Sequence, residues 1–309
     1  MRTDRPWPLQ GVVDAFVSAE IGQGWQASFR PVVWRVGGTW ETLVDQASVK
    51  REFRWGGNWR IEAGRFPSPF GFGMTENRAN LNAGTLWCFR PYYMPLPSLG
   101  TDAPKVSLPS AVYPLGVSVG TSSRRWDART AVVDRSPLEF WQRDPRAARG
   151  PNTIVGGGFT PRQGVRVGAA TAWGDFAKAV GRQATSAYRT TGMEAEFAVG
   201  YTKVSGEWTR AEFQLPEGDR VALGWTAQIQ HTLSPRVFAH SRATIFEAPE
   251  RVGSARFIDR RYRSIDSTLG VRVNPEITLR LAHAAIDHWA SPVVDHQVGL
   301  SAIWVRRWW

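Results

Sequence analysis

The sequence predicts an all-β protein, a transmembrane antiparallel up-and-down β-barrel of about 16 strands (roughly 14 to 18). Three observations predict it: alternating apolar and polar residues in long runs, an unusual load of tryptophan, and a C-terminal strand ending in Trp308-Trp309.

The alternation is clearest in the second half of the chain. From Val221, one parity reads Val221, Leu223, Trp225, Ala227 and Ile229, and the other Ala222, Gly224, Thr226, Gln228 and Gln230. The following stretches repeat the arrangement. Val237, Ala239, Ser241, Ala243 and Ile245 stand against Phe238, His240, Arg242 and Thr244. Ser264, Asp266, Thr268, Gly270 and Arg272 alternate with Ile265, Leu269 and Val271. Thr278 and Arg280 alternate with Ile277, Leu279 and Leu281, and Gln297, Gly299 and Ser301 with Val298, Leu300, Ala302 and Trp304. A period of two is the signature of strands with two unlike faces. The polar face is small and Gly-rich, which fits a lumen better than a solvated outer surface.

Composition narrows the class. No 18-residue apolar stretch exists, which excludes a transmembrane helix but not a barrel, whose strands need only about 10 alternating residues. Sixteen Trp, 15 Phe and 6 Tyr in 309 residues suit an interfacial belt, although carbohydrate-binding proteins are also rich in Trp. A single cysteine, Cys88, excludes a disulfide framework and a cysteine metal site. The net charge of +11 implies anionic partners, but the arginines are scattered through strands, so nucleic acid is not expected among them. The N-terminus, Met1-Arg2-Thr3-Asp4-Arg5-Pro6-Trp7-Pro8, has no apolar leader core. The expectation is therefore a trimmed or misplaced start ahead of an exported chain.

Connections follow the barrel pattern. Thr232–Arg236 and Asn274-Pro275 read as short turns, whereas 136–150, 175–192 and 248–260 read as long loops. Residues 39–55 fit either one long strand or two. Between Arg65 and Pro114 lie eight prolines, Pro67, Pro69, Pro91, Pro95, Pro97, Pro104, Pro109 and Pro114, which rules out central strands. The chain is read as one barrel domain, 1–309, in which 65–114 is a non-ladder loop that caps the mouth or folds inward to constrict the pore.

Several of these segments carry a resemblance. They are Phe29-Arg30-Pro31-Val32-Val33-Trp34-Arg35, Ala63-Gly64-Arg65-Phe66-Pro67-Ser68-Pro69-Phe70-Gly71 and Pro91-Tyr92-Tyr93-Met94-Pro95-Leu96-Pro97. To these are added Tyr113-Pro114-Leu115-Gly116, 126–134 and 295–309. From about Trp25 onward the chain resembles uncharacterised porin-like outer-membrane proteins of Gram-negative bacteria, distantly like the phosphate-selective porins. The resemblance implies an exported barrel with a diffusion or uptake role, recognised at its C-terminal strand by the barrel-assembly machinery. It supplies no catalytic residue, and the lysine cluster of phosphate-selective porins is not recognisable here.

Parity places Arg30, Arg60, Glu62, Asp127, Arg129, His240, Arg242, Asp266, Arg272 and Arg280 toward the lumen, joined by Glu194, Glu196 and Glu207. Arginines facing carboxylates across a wide, water-filled pore would favour small anions mildly. Trp304, Trp308 and Trp309 are assigned to the membrane interface and to assembly, with Arg306 snorkelling.

No catalytic set can be built: His240 and Ser241 are consecutive and point to opposite faces of a strand. His283, Asp287 and His288 read as a hydrated turn rather than a metal site. Gly156-Gly157-Gly158 lacks the lysine and helix of a phosphate loop and reads as close packing within a strand. No cofactor and no metal are expected. The expected partners are outer-membrane lipid and lipopolysaccharide, small hydrophilic or anionic solutes, and further copies of the chain in a homo-oligomer. A passive channel is the leading reading. A non-transport barrel, structural or enzymatic, and a soluble carbohydrate-binding β protein stay open.

Overall fold

The computed structural model describes residues 11–36, 39–71, 113–139, 147–178, 186–215, 218–252, 256–287 and 293–306. They form a single antiparallel sheet of sixteen strands in meander order, the up-and-down β-barrel architecture. No helix among them is long and apolar enough to cross a membrane, which says nothing against crossing with strands.

The strands are β1 (Gly11–Asp14), β2 (Val17–Gly22), β3 (Trp25–Val36), β4 (Thr39–Arg54), β5 (Asn58–Arg65), β6 (Leu115–Ser122), β7 (Trp126–Val133) and β8 (Asn152–Arg162). They continue with β9 (Val165–Ala177), β10 (Ser186–Val199), β11 (Thr202–Phe213), β12 (Arg220–Thr232), β13 (Val237–Val252), β14 (Arg256–Arg272), β15 (Ile277–Asp287) and β16 (Asp295–Trp304). Residues 39–54 are thus one strand, not two. β1 and β2 lie end to end along the same partner, β3, with Gly11 opposite Arg35 and Val17 opposite Phe29.

One end of the sheet carries only tight turns, including 23–24, 55–57, 163–164, 200–201, 233–236 and 273–276. The opposite end carries the connections that bracket Phe66–Pro114 and Asp134–Pro151. Two of the expected long loops are mostly strand. β9 runs to Ala177 and β10 begins at Ser186, and β13 and β14 extend to Val252 and from Arg256. Arginines and Pro249 in the latter pair mask a ladder that nevertheless runs unbroken from Val237↔Val271 to Val252↔Arg256.

The two faces are inverted relative to a soluble sandwich. The exposed face carries Val117, Trp126, Trp173, Met193, Trp208, Trp225, Ile265, Leu281 and Trp304, with Leu300 82% exposed. The inner face buries Ser118, Glu194, Thr209, Thr226, Arg242, Thr244, Asp266 and Arg280. At the short-turn end the exposed face is rimmed by aromatics: Trp126 packs on Phe159 at 4.3 Å between ring centroids, and Trp25 lies under the Arg51 guanidinium. Trp308 and Trp309 lie outside the described residues; Trp304 is an exposed outward-facing residue of this rim.

The inner face also holds what parity alone does not suggest, an apolar zone toward the long-loop end. Val133, Ile154, Phe176, Tyr188, Phe213, Phe246, Tyr262 and Ile286 are buried there in one cluster with Phe66, Phe70, Leu138 and Leu215 from the connections. Phe176 packs on Phe213 at 4.6 Å and Phe246 stacks on Tyr262 at 5.8 Å.

Candidate pore lining

Each inner-face charge is set there by strand parity, and most are held by a neighbour of opposite sign. On β7–β10 four of them form one network. Arg166 bonds both oxygens of Asp127 at 2.9 Å and reaches Glu194 at 2.6 Å. Arg129 Nη2 donates to both oxygens of Glu194 at 3.1 Å and to the Gly71 carbonyl at 3.2 Å. A bidentate carboxylate pair is the strong form of an arginine bond, and a network shares the cost of ordering each side chain.

The Gly71 contact ties the wall to the first residues after β5. Phe66 and Phe70 are buried, and the Phe70 ring lies so near Gly192 of β10 that a Cβ added there would meet it at 3.1 Å. Gly71, at φ +67°, leaves room for the Glu207 carboxylate, which a Cβ would meet at 2.0 Å. Residues 66–71 therefore lie along the inner face of β7–β11. Residues 72–112 lie outside the described residues.

A second group sits on β12–β16. Arg242 and Asp266 form a buried pair, with Nη2 2.6 Å and Nε 2.9 Å from Oδ2. His240 Nε2 lies 3.4 Å from Gln228, whose amide donates to Ser205 at 2.9 Å, and Arg280 Nε donates to Ser301 at 3.0 Å. Arg272 stands apart at the short-turn rim, over the Phe238 ring at 5.0 Å, donating to the Pro235 carbonyl.

Arg30, near the other edge, is buried and bonds Asp14 at 2.8 Å and the Tyr113 hydroxyl. Glu62 accepts from Ser48 at 2.8 Å, and Arg60 is exposed to a cavity. Glu196 pairs with Lys203 at 2.6 Å.

Two expectations change. The ion pairs run along the wall between nearby strands, because cross-strand neighbours lie within side-chain reach whereas an opposite wall does not. The inner space is also not a wide aqueous lumen at every height: His240, Arg242, Asp266 and Arg280 are each at most 5% exposed. Open space remains on the β4–β7 side, a cavity of about 750 Å³ that reaches from the short-turn end up to Phe66, Pro67 and Pro69. Its lining includes Arg54, Arg60 and Arg129 beside Glu52, Glu62 and Asp127. Arg166, which holds the network together, was not among the residues expected; its parity with Gly168 and Ala170 could have found it.

Among the described residues no group of three or more His, Cys, Asp or Glu could hold a metal ion. His283 and His296 do meet, with Nε2 and Nδ1 3.1 Å apart, but on the exposed face; His288 lies outside the described residues.

Solved structures of outer-membrane proteins superpose on this one over most of their length. An OmpF from Salmonella typhi, solved with daunomycin, superposes at a TM-score of 0.59 with 11% identity, covering 95% of this chain and 89% of its own. The fold is that of the outer-membrane porins. An anion-selective porin from Comamonas acidovorans matches at 0.56 with 14% identity, over 90% of this chain and 78% of its own. The trimer form of OmpT, an outer-membrane protein of Vibrio cholerae, matches at 0.56 with 8% identity, over 96% and 90%. No protein-family model and no curated protein matches the sequence. Against that porin fold, the inner apolar zone of this chain is the feature that its polar-lumen logic does not require.

Proposed function

We propose that this protein is an outer-membrane porin-like channel for passive diffusion of small hydrophilic solutes, with a mild preference for anions. One observation carries the reading: an apolar, aromatic-rimmed exposed face surrounds an inner face of paired charges, an arrangement stable only with lipid outside. Solutes would enter the cavity from the short-turn, periplasmic end and pass Arg54, Arg60 and Arg129. Residues 66–71 would form the narrow point, seated on the Arg129–Glu194 network. Equal numbers of cations and carboxylates in the cavity lining keep selectivity weak. The +11 charge of the chain tilts it toward anions.

Planar-bilayer recording of the refolded protein tests this. Discrete conductance steps with a reversal potential on the anion side in a salt gradient support the proposal. A tight barrel with no conductance, or cation selectivity, overturns it. Cross-linking in the native membrane would show whether the barrels assemble in threes, as the trimeric Vibrio protein does.

A further inference from the structure

His283 on β15 and His296 on β16 stand side by side on the outer face of the wall. Strand register brings them together. His296 lies opposite Ala285, so it is the diagonal neighbour of His283, and both side chains leave the same face of the sheet. Their rings meet edge to edge: Nε2 of His283 is 3.1 Å from Nδ1 of His296, while the ring centroids are 5.3 Å apart.

The wall itself does not account for the pair. Leu279, Leu281, Val298 and Leu300, which flank it on the outer face of the same two strands, are apolar and exposed. An ionisable group among lipid-facing residues is costly, and where it is kept it marks a site together with its partner. The pair lies in the long-loop half of the wall, near the margin where the outer face turns polar. Exposed Asp287 ends β15 there, opposite exposed Arg263 of β14. An ion in water reaches the two rings from that margin without crossing the apolar band.

The contact has a chemical condition. Two imidazole nitrogens facing each other at this distance attract only if one carries a proton and the other does not. With the N–H on the far nitrogen of each ring, His283 Nδ1 and His296 Nε2, both near nitrogens present lone pairs, as metal ligands do. Metal–nitrogen bonds are about 2.0–2.1 Å, so two nitrogens on one ion stand about 2.9 Å apart at a right angle and about 3.4 Å apart at the tetrahedral angle. The observed 3.1 Å falls between these values. A turn of the two exposed rings aims both lone pairs at one ion.

We propose that His283 and His296 form a two-imidazole site for a divalent transition-metal ion, copper(II) ahead of zinc or nickel, on the outer rim of the barrel. Two protein donors fill only part of a coordination sphere. Water completes it, so the site is open and exchangeable, unlike a closed structural zinc site. Sequence spacing directs attention to His288, but the ladder supplies His296 as the second donor.

Titration of the folded full-length protein with copper(II) in detergent, read by electron paramagnetic resonance, tests this. One ion per chain with two nitrogen donors is expected; a single nitrogen donor, or no bound copper, overturns the proposal. His283→Asn and His296→Asn should each weaken binding at least about 10-fold. His231→Asn should leave it unchanged, since that imidazole is engaged with Thr202 at 2.8 Å elsewhere on the exposed face. Unchanged affinity in either of the first two variants, or an equal loss in the third, overturns the site. In the native protein, bound copper should shield His283 and His296, but not His231, from diethyl pyrocarbonate, as read by mass spectrometry. Equal labelling with and without copper also overturns it. None of these outcomes depends on whether the barrel conducts.

Discussion

Arg166 and Asp127 form a two-point ion pair that spans a whole strand, for they stand on β9 and β7 with β8 between them. The guanidinium crosses β8 above Gly158, where an added Cβ would meet Nη2 at 2.4 Å. The glycine run 156–158 is therefore the gap through which a long side chain passes, and not only close backbone packing.

A Gly158→Val substitution should break this bridge while leaving the ladder itself intact. The displaced guanidinium leaves Asp127 without its bidentate partner, at a cost of about 1–3 kcal/mol. Urea unfolding followed by intrinsic tryptophan fluorescence measures it. An unchanged midpoint would mean that Arg166 reaches its partners by another route. Gly156→Ala offers a comparison, since its Cβ meets Ala170 and the Arg129 side chain at 3.0–3.2 Å and should cost less.

The buried pair Arg242–Asp266 predicts a different asymmetry. Removing one partner by Asp266→Ala takes the carboxylate away from a guanidinium that is 1% exposed, a loss of up to about 3–5 kcal/mol. The double change Arg242→Met with Asp266→Leu removes the charges together and should recover most of that loss. The same unfolding experiment compares the three variants. Equal damage from the single and double changes would show that packing, not charge, holds this part of the wall.

Most of the ladder was readable because parity is a strong signal wherever one face meets lipid and the other does not. Ser264, Asp266 and Thr268 are buried and Ile265 and Leu269 exposed, as alternation requires. The same rule carried one turn further would have found the inner apolar zone, since Phe246 shares parity with Arg242 and Thr244, and Tyr262 with Ser264. Aromatics near strand ends are easily assigned to the lipid interface, although these two point the other way. Partners were less legible than faces. That Arg30 meets Asp14, or Arg166 meets Asp127, depends on registers and on Gly158, which no single strand reveals. The shared place of β1 and β2 along β3 was likewise invisible, because each reads as an ordinary short strand.

Acid should loosen the long-loop end through Asp134, just beyond β7. Burial pushes this carboxyl up, but hydrogen bonds from Arg135 and from the Leu115 N–H outweigh it and hold the group below the ordinary carboxylate range. A depressed folded value means that the group stabilises the fold at neutral pH, and that this contribution is lost as pH falls through the carboxylate range, below about pH 4. Asp134→Asn should flatten that part of the profile. Thermal unfolding of both proteins between neutral pH and about pH 3 measures the difference. An identical slope in the variant would remove Asp134 from the account.

The last prediction concerns the seat of residues 66–71. Phe70 is fully buried against Gly192, and Gly71 accepts from Arg129, so an aromatic ring and one arginine hold this segment to the wall. Phe70→Ala removes the ring and should both destabilise the protein, by about 3–5 kcal/mol, and enlarge the passage beside it. Gly192→Val reaches the second end by the opposite route, since its side chain occupies the place of the ring and pushes the segment inward or off the wall. If the segment forms the narrow point, Phe70→Ala raises single-channel conductance and weakens discrimination against larger uncharged solutes in liposome swelling. If it only braces the wall, stability falls and conductance stays level. The Arg129→Lys variant separates the two contributions, because it keeps the charge near Glu194 but loses Nη2, the one nitrogen that reaches both Glu194 and Gly71. Its conductance should rise toward that of Phe70→Ala while its reversal potential stays near that of the native protein.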